Sequence, residues 1–238
     1  NEEWISDKTR YACDGLKNQR LDTPLIKNNG NFEEISWQDA YKKIKEKILK
    51  NSPDKIVGFT GDMTNMETMF SVKNLFQKTL NSSYLDSRPN HTYINFENRS
   101  NYLFNSRIEG VEESDLILLI GTNPRFEATI LNSRIRKTYL KNKTEIFSLE
   151  DVGDLTYPYK VLENNSKVID KIIKNEHNLS NKIAIAEKPI IILGQSILNS
   201  NNGAYIFEEL KRYLTSINKI EDSWNALNIL SLIHISEP

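Results

Sequence analysis

The chain has 238 residues, of which 38% are hydrophobic and 9% aromatic, so it can bury a core in one or two globular domains. Its 31 Lys and Arg residues are balanced by 32 Asp and Glu residues, and a formal net charge of -1 provides no global field favouring nucleic acid or an anionic membrane. Because the charge is balanced, we expect no nucleic-acid partner. Apolar runs fall short of the roughly 18 to 20 residues that cross a bilayer, so we also expect no direct membrane insertion.

The single cysteine, Cys13, excludes an internal disulfide and a cysteine-rich metal site. A lone thiol of this kind is typical of a small packed side chain in a reducing compartment.

Both ends of the sequence are unusual. The chain starts at Asn1 rather than Met, and its opening "NEEWISDKTR" lacks the basic and apolar regions of a signal peptide. Residues 230–238, "LSLIHISEP", resemble the translation of a sequencing adapter, so we predict that they lie outside the fold and give His234 no functional weight. The sequence therefore indicates a fragment of a longer protein.

The first part of the chain predicts an irregular lead-in followed by a βα unit. Residues 1–35 are broken up by Gly, Pro and Asn, which favours the end of an adjoining domain or a lead-in strand. Ser36 is a predicted N-cap, with Asp39 three residues later, for a helix over "SWQDAYKKIKEKILK". A buried strand over "DKIVGFTG" and a helix over "NMETMFSVKNLFQKTLN" follow.

The second part predicts further alternation of strands and helices. The run "DLILLIG" is the clearest strand, and "RFEATILNSRIRKTYLKN" after it has helical periodicity. Further strands are predicted over "TEIFSLE" and "KPIIILGQS", with helices over "SKVIDKIIK", "LSNKIAIAEK" and "NGAYIFEELKRYLTSI". Strands that are apolar on both faces belong in a parallel sheet covered on both sides. We therefore predict an α/β domain over residues 36–229, with a Rossmann-like, mostly parallel sheet and helices on both faces.

The stretch "GTNPR" after the clearest strand is the main candidate site. In open α/β sheets ligands bind beyond the carboxyl ends of the strands. Gly121 permits a close approach, Asn123 suits a turn and can hydrogen-bond, and Arg125 can hold an anion. The same residues with Pro124 also make a good strand-to-helix turn without any ligand. Neither a Walker motif nor G-x-G-x-x-G occurs in the chain, so the residues leave both interpretations open.

Other polar residues give weaker signals. The helix after the turn carries Arg134, Arg136 and Lys137, which face phosphate, an acidic neighbour or water, and a solvated face is the default. His91 and His177 stand alone, without metal partners at ligand spacing.

Catalytic candidates are scarce as well. Ser100 lacks a nucleophile elbow, and the adjacent pairs Glu2/Glu3 and Glu112/Glu113 favour surface or partner contacts. The dense segment "SNYLFNSRIEGVEESD" is suited to an interdomain seam. We predict no catalytic residue and no metal ligand in this chain.

Three stretches together carry a family resemblance: "NEEWISDKTRYACDGLKNQRLDTPL", "RSNYLFNSRIEGVEESDLILLIGTNPRFEATILNSRIRK" and "DLTYPY". They resemble the large iron–sulfur subunit of respiratory complex I, which is the 75 kDa subunit in mitochondria and has a bacterial counterpart in NADH-quinone oxidoreductase. The resemblance covers nearly the whole chain outside residues 230–238. It implies that residues 1–35 end a 4Fe-4S molybdenum/tungsten bis-MGD-type domain, and that residues 36–229 form an incomplete molybdopterin oxidoreductase-like α/β domain.

The resemblance also implies cofactors and partners. The full-length subunit would carry 2Fe-2S and 4Fe-4S clusters, with their ligands upstream of Asn1, and would pass electrons from NADH to quinone. Its partners would be other peripheral-arm subunits, including the flavin-bearing NADH-binding subunit, on the bacterial cytoplasmic or the mitochondrial matrix side of the inner membrane. A cubane needs about four ligands, and the family pattern favours an aromatic residue at Cys13, so no cluster is expected in this chain.

Two alternatives remain on the residues alone. Molybdenum enzymes of the wider superfamily use a turn like "GTNP" to seat a molybdopterin guanine dinucleotide, so a formate dehydrogenase-like enzyme is one alternative. The corresponding metal-ligand stretch here, "SRPNHTYINFEN", contains no Cys. We therefore predict a vestigial pocket at Gly121, Asn123 and Arg125 and no cofactor in this chain. A free-standing nucleotide-binding domain is the other alternative.

Overall fold

The computed structural model describes residues 4–18, 20–61, 64–87, 92–163, 165 and 167–230. The chain divides into two compact units, one formed by Asp7–Pro89 and the other by Asn1–Ser6 with Asn90–Pro238. The boundary predicted at residue 35 separates two domains of the family rather than two compact units, so it stays a prediction.

The smaller unit begins with helix α1 (Asp7–Ala12) and a hairpin of β1 (Leu25–Asn28) and β2 (Asn31–Glu34). Asn29 and Gly30 at its tip both have positive φ, at 48° and 90°, as a two-residue hairpin turn with native twist requires. The sequence led us to expect irregular structure or a lead-in strand here, and the Asn-Gly turn instead folds the segment back on itself.

The rest of the smaller unit is the predicted βα unit. Helix α2 (Trp37–Leu49) is capped by Ser36, whose Oγ accepts from the Asp39 N–H at 3.1 Å. Strand β3 (Gly58–Phe59) leads to helix α3 (Met66–Asn74), which continues as a π-helical turn before β4 (Leu85–Asp86) pairs parallel with β3. The predicted strand and helices are confirmed, but the strand is only two residues long and is not buried as predicted, since Phe59 is 63% exposed.

The larger unit contains a five-stranded sheet in which all neighbouring strands are parallel, in the order β7-β6-β5-β8-β9. The strands are β5 (Leu116–Ile120), β6 (Glu145–Ser148), β7 (Lys160–Val161), β8 (Pro189–Gly194) and β9 (Leu227–Leu230). The predicted parallel α/β fold is confirmed. Strand β9 was not predicted. Its last residue, Leu230, pairs with Gly194, although we had predicted that residues 230–238 lie outside the fold. The other residues of that segment, 231–238, are not among the described residues.

Helices cover both faces of this sheet. Ile117 and Leu119 point to the face that packs against Leu131 and Ile135, whereas Leu116, Leu118 and Ile120 point to the other face. That second face packs against Ile169, Leu179 and Phe207. The helices are α4 (Pro124–Glu127), α5 (Thr129–Asn142), α6 (Lys167–Ile173), α7 (Asn178–Ile185), α8 (Gln195–Leu198) and α9 (Gly203–Ser216). Burial on both sides explains why the central strands contain only apolar residues.

The segment before β5 covers the edge of the sheet at β9. Asn105 Nδ2 donates to Leu227 O at 2.7 Å, and Ser106 donates from both its N–H and its hydroxyl to Asn228 Oδ1, at 2.9 and 2.8 Å. Phe104 forms an antiparallel bridge with Asn228. We expected this segment at an interdomain seam. In the structure these residues cover the outer edge of β9, where strand groups would otherwise lack partners.

Across the described parts of the chain, none of the helices combines the length and the apolar character needed to cross a bilayer.

Candidate functional site

The strand order places the candidate turn at a topological switch point. From β5 the chain moves outward to β6 and β7 on one side, and then returns to β8 and β9 on the other. The loops that follow β5 and β8 therefore lie side by side at the carboxyl edge of the sheet, where doubly wound folds bind their ligands.

Gly121 and Asn123 build the turn after β5. Gly121 has a φ of +63°, which favours glycine, and it is buried. Asn123 caps α4, since its Oδ1 accepts from the Arg125 N–H at 3.2 Å, and its Nδ2 donates to Val152 O at 2.8 Å. Both ends of the Asn123 amide are thus used within the protein.

The carboxylate of Glu127 lies at the centre of this turn. Its Oε2 accepts from the Thr122 hydroxyl at 2.8 Å, and its Oε1 accepts from the Asn123 N–H at 2.9 Å. Thr122 is 2% exposed, so its hydroxyl is removed from water and needs this partner.

Arg125 is held by the loop after β6. Its Nη1 donates to both the carbonyl O and the carboxylate Oδ2 of Asp154, each at 2.7 Å. The Thr156 N–H and then the Arg125 guanidinium hold the pKa of the Asp154 carboxyl below its ordinary value. Both side chains are substantially exposed, so this ion pair fixes the loop more than it stabilises the fold.

The loops after β5 and β8 touch directly. Ser196 Oγ donates to Gly121 O at 2.6 Å. A Cβ added at Gly194 would lie 2.5 Å from Thr122 Cβ and 2.7 Å from the carbonyl carbon of Gly121. Only glycine fits at residue 194, and at this level backbone fills the space between the two strand ends.

The basic residues of α5 are divided between two environments. Arg136 is exposed, as a solvated face requires, but the expectation is wrong for Arg134, whose side chain is 7% exposed and donates to Glu112 Oε1 at 2.7 Å. Lys137 donates to the same oxygen at 2.9 Å. This hydrogen bond and the neighbouring positive charges lower the pKa of Glu112. Glu112 is partly exposed and joins α5 to the segment before β5, and the exposed Glu113 pairs within the chain with Lys188. The expectation that these two residues make surface or partner contacts stays a prediction.

The remaining candidates do not assemble into a site. His177 caps α7, with its Nδ1 accepting from the Leu179 N–H at 3.1 Å. The expectation that Cys13 is a packed thiol is wrong, because Cys13 is exposed and donates to Arg10 O. His91 and His234 lie outside the described residues, as do Glu2 and Glu3. Within the described ranges, no group of three or more His, Cys, Asp or Glu side chains is placed to hold a metal ion.

Sequence reasoning missed Thr122, Glu127, Asp154 and Ser196. Glu127 had a signal, because an acidic residue one turn after an N-cap Asn can return to the cap N–H. Asp154 and Ser196 had none, since they are 29 and 75 residues away from the groups they contact.

The fold and the turn define a class: a doubly wound parallel α/β domain with a glycine-bearing, asparagine-capped turn at its switch point. The chain belongs to the molybdopterin oxidoreductase family, which it matches over residues 20–234.

Similar proteins narrow this class. The chain is 37% identical to the mitochondrial 78 kDa subunit of NADH-ubiquinone oxidoreductase from Candida albicans, over 97% of the chain and 32% of that protein. It is 36% identical to a subunit of the NADH-quinone oxidoreductase of Rickettsia bellii, over 97% of the chain and 34% of that protein. It is 34% identical to the mitochondrial NADH dehydrogenase [ubiquinone] iron-sulfur protein 1 of Solanum tuberosum, over 98% of the chain and 31% of that protein. The resemblance to the complex I subunit is confirmed, and the chain spans about a third of the length of these curated relatives.

The family implies a molybdopterin cofactor, and the residues at the switch point do not fit its phosphates. The Thr122 hydroxyl, the Asn123 N–H and the Arg125 guanidinium all donate to acceptors of the chain itself. Gly121 and Gly194 leave no gap between the strand ends. The prediction of a vestigial pocket at Gly121, Asn123 and Arg125 stays a prediction.

Proposed function

We propose that the full-length protein is the large iron–sulfur subunit of an NADH:quinone oxidoreductase, and that the region in this chain is a scaffold. The observation that carries this proposal is 36–37% identity over 97% of the chain to subunits of that enzyme from a bacterium and a fungal mitochondrion. The full-length subunit passes electrons from NADH toward quinone through 2Fe-2S and 4Fe-4S clusters. It works with the other peripheral-arm subunits, including the flavin-bearing NADH-binding subunit, at the cytoplasmic or matrix side of the inner membrane.

Cysteine content supports the placement of the clusters outside this region. The 238 residues contain one cysteine, whereas a cubane takes about four ligands. In this proposal the cluster ligands lie upstream of Asn1, residues 1–35 end the bis-MGD-type domain, and residues 36–229 form the α/β domain.

Exposed apolar side chains support a scaffolding role. Trp37, Tyr41 and Ile44 form one stripe on α2 and are 55%, 62% and 55% exposed. A contiguous apolar stripe of this kind is typical of surfaces that meet other polypeptide in an assembly.

Metal analysis tests the assignment. The purified 238-residue chain should contain no stoichiometric iron after reconstitution with iron and sulfide, whereas a longer clone with the upstream sequence should bind iron and show cluster absorption. Stoichiometric iron in the 238-residue chain would refute the scaffold assignment.

A molybdopterin-dependent oxidoreductase, similar to formate dehydrogenase, is the second candidate, because the family match favours it. It predicts molybdenum or tungsten and a pterin in the purified longer protein. Fluorescence of the oxidised pterin and elemental analysis distinguish the two candidates, since the complex I subunit should contain iron and no pterin.

A further inference from the structure

The turn after β5 has the donors of an anion site, and the chain itself supplies the anion. Backbone N–H groups at the carboxyl edge of a parallel sheet hold phosphate in nucleotide-binding proteins of this fold class, and a buried hydroxyl beside them is a further donor that needs an acceptor. Here both donate to one carboxylate, at 2.8 Å from Thr122 and 2.9 Å from Asn123. Each oxygen of Glu127 accepts one of these bonds, so a single side chain takes up both donors.

We propose that Glu127 is a built-in anion that takes the position of a cofactor phosphate at the switch point, an inference that rests on the proposed function. Its carboxylate keeps the Thr122 hydroxyl and the Asn123 N–H satisfied without any ligand. It therefore turns a ligand-binding turn into a structural joint.

An ordinary helix cap does not account for the whole arrangement. In a capping box an acidic side chain three residues after the cap returns to the N-cap N–H, and Glu127, four residues after Asn123, makes the same bond. It also satisfies the hydroxyl of Thr122, a residue that precedes the cap and is 2% exposed. On the other side of the crevice, Ser196 Oγ donates to Gly121 O. The joint thus combines the Glu127 carboxylate, which stands in place of a bound anion, with direct contact between the two loops.

Removal of the carboxylate should create a small oxyanion site. In Glu127→Ala the two donors lose their acceptor, so the thermal midpoint should fall below that of the unaltered chain. Acetate or inorganic phosphate should restore it in part, by roughly 3–6 °C when the anion exceeds its dissociation constant about tenfold. Chloride at equal ionic strength should have no such effect, and acetate should raise the midpoint of Glu127→Ala by more than it raises that of the unaltered chain.

Two further variants make the experiment specific. Glu187→Ala removes an exposed glutamate at the opposite edge of the sheet and should neither lower the midpoint nor introduce an acetate response. Glu127→Gln keeps the side-chain volume but replaces one acceptor oxygen with a donor, so it should melt several degrees lower and not respond to acetate. This variant also provides the decisive measurement if Glu127→Ala does not fold.

The proposal is wrong if Glu127→Gln melts with the unaltered chain, or if a folded Glu127→Ala responds equally to acetate and chloride. It is also wrong if pyrophosphate stabilises the unaltered chain at concentrations too low for a general salt effect. These outcomes are separate from a failure of the proposed function, which iron or pterin analysis reports without reference to Glu127.

Discussion

Contact between the two central strand ends predicts that Gly194→Ala destabilises the larger unit. Gly194 has a φ of -89°, an ordinary value for any residue, so alanine meets no backbone strain and gains up to about 1 kcal/mol through the unfolded state. The added Cβ would lie 2.5 Å from Thr122 Cβ, whereas carbon atoms settle near ~3.5–4.0 Å, so the strand ends must move apart by about 1 Å.

The steric cost decides the sign of the change. Overpacking costs about 1–3 kcal/mol, and the upper end applies here because the nearest atom is the backbone carbonyl oxygen of Gly121 at the end of the neighbouring strand. The net loss is about 2 kcal/mol, which lowers the thermal midpoint by about 4–8 °C in a unit of this size. Calorimetry and a urea titration of the purified chain measure it.

Gly110→Ala is the matched control. Its added Cβ would meet the Trp224 ring at 3.6 Å, an ordinary contact, so the stability should stay unchanged or rise by up to about 1 kcal/mol through the unfolded state. If Gly194→Ala melts at the same temperature as this control, the strand ends are apart in solution. The crevice at the switch point would then be open rather than closed by backbone.

Three further substitutions test separate parts of the structure. Glu112→Gln should cost about 1–3 kcal/mol at pH 7, because it removes the carboxylate to which the buried Arg134 side chain donates. The pKa of Glu112 is lowered, mainly by the hydrogen bond from Lys137, so its contribution is present above the unfolded pKa and lost as the pH falls through the folded pKa. Urea titrations from pH 7 to pH 3 should show a smaller acid loss in the variant, and equal pH profiles would contradict this. Tyr157→Phe removes the donor, at 2.8 Å, of the buried Asn132 Oδ1 and should cost about 1–3 kcal/mol in the same assay; a loss below about 0.5 kcal/mol would mean that another donor replaces it. Ser36→Ala removes the N-cap of α2 and should cost about 1 kcal/mol, seen as faster hydrogen exchange in the first turn of that helix, and unchanged exchange would argue against the cap.

The central strands could be predicted from the sequence because burial on both faces requires an unbroken run of apolar residues, which is visible within a few residues of the chain. Strands β5 and β8 are unbroken apolar runs, as expected for strands that a parallel sheet buries on both faces, and a glycine stands at the end of each run. Strand β9 was not predicted because Asn228 interrupts its short run of apolar residues, which is only four residues long. That asparagine is fully buried, and its partner, Ser106, is 122 residues away. A polar residue that is satisfied by a distant segment has no signature in its own neighbourhood.

The candidate site was predicted only in part, for a related reason. Gly121 and Asn123 were found because a turn leaves a local signal in residue type and spacing. The role of Arg125 was not, since its acceptor, Asp154, belongs to a loop beyond the next strand. Closure by Ser196 depends on two strands that are neighbours in the sheet but far apart in the chain. Contacts of this kind follow from strand order, which periodicity alone does not determine.

Glycine, asparagine and a basic residue at a strand end are equally suited to a cofactor phosphate and to a ligand-free joint. The chain's own acceptors decide between these two uses, because buried donors need partners in either case. A domain that loses its ligand must therefore replace the acceptors that the ligand supplied, or leave unsatisfied donors at the centre of the fold. Glu127, placed one turn beyond the donors, supplies both acceptors without altering the turn, so in our proposal the same turn serves a purely structural role. Within this family, an acidic residue at this position should accompany loss of the phosphate site, and a purified relative with both the acid and a bound dinucleotide would refute that rule.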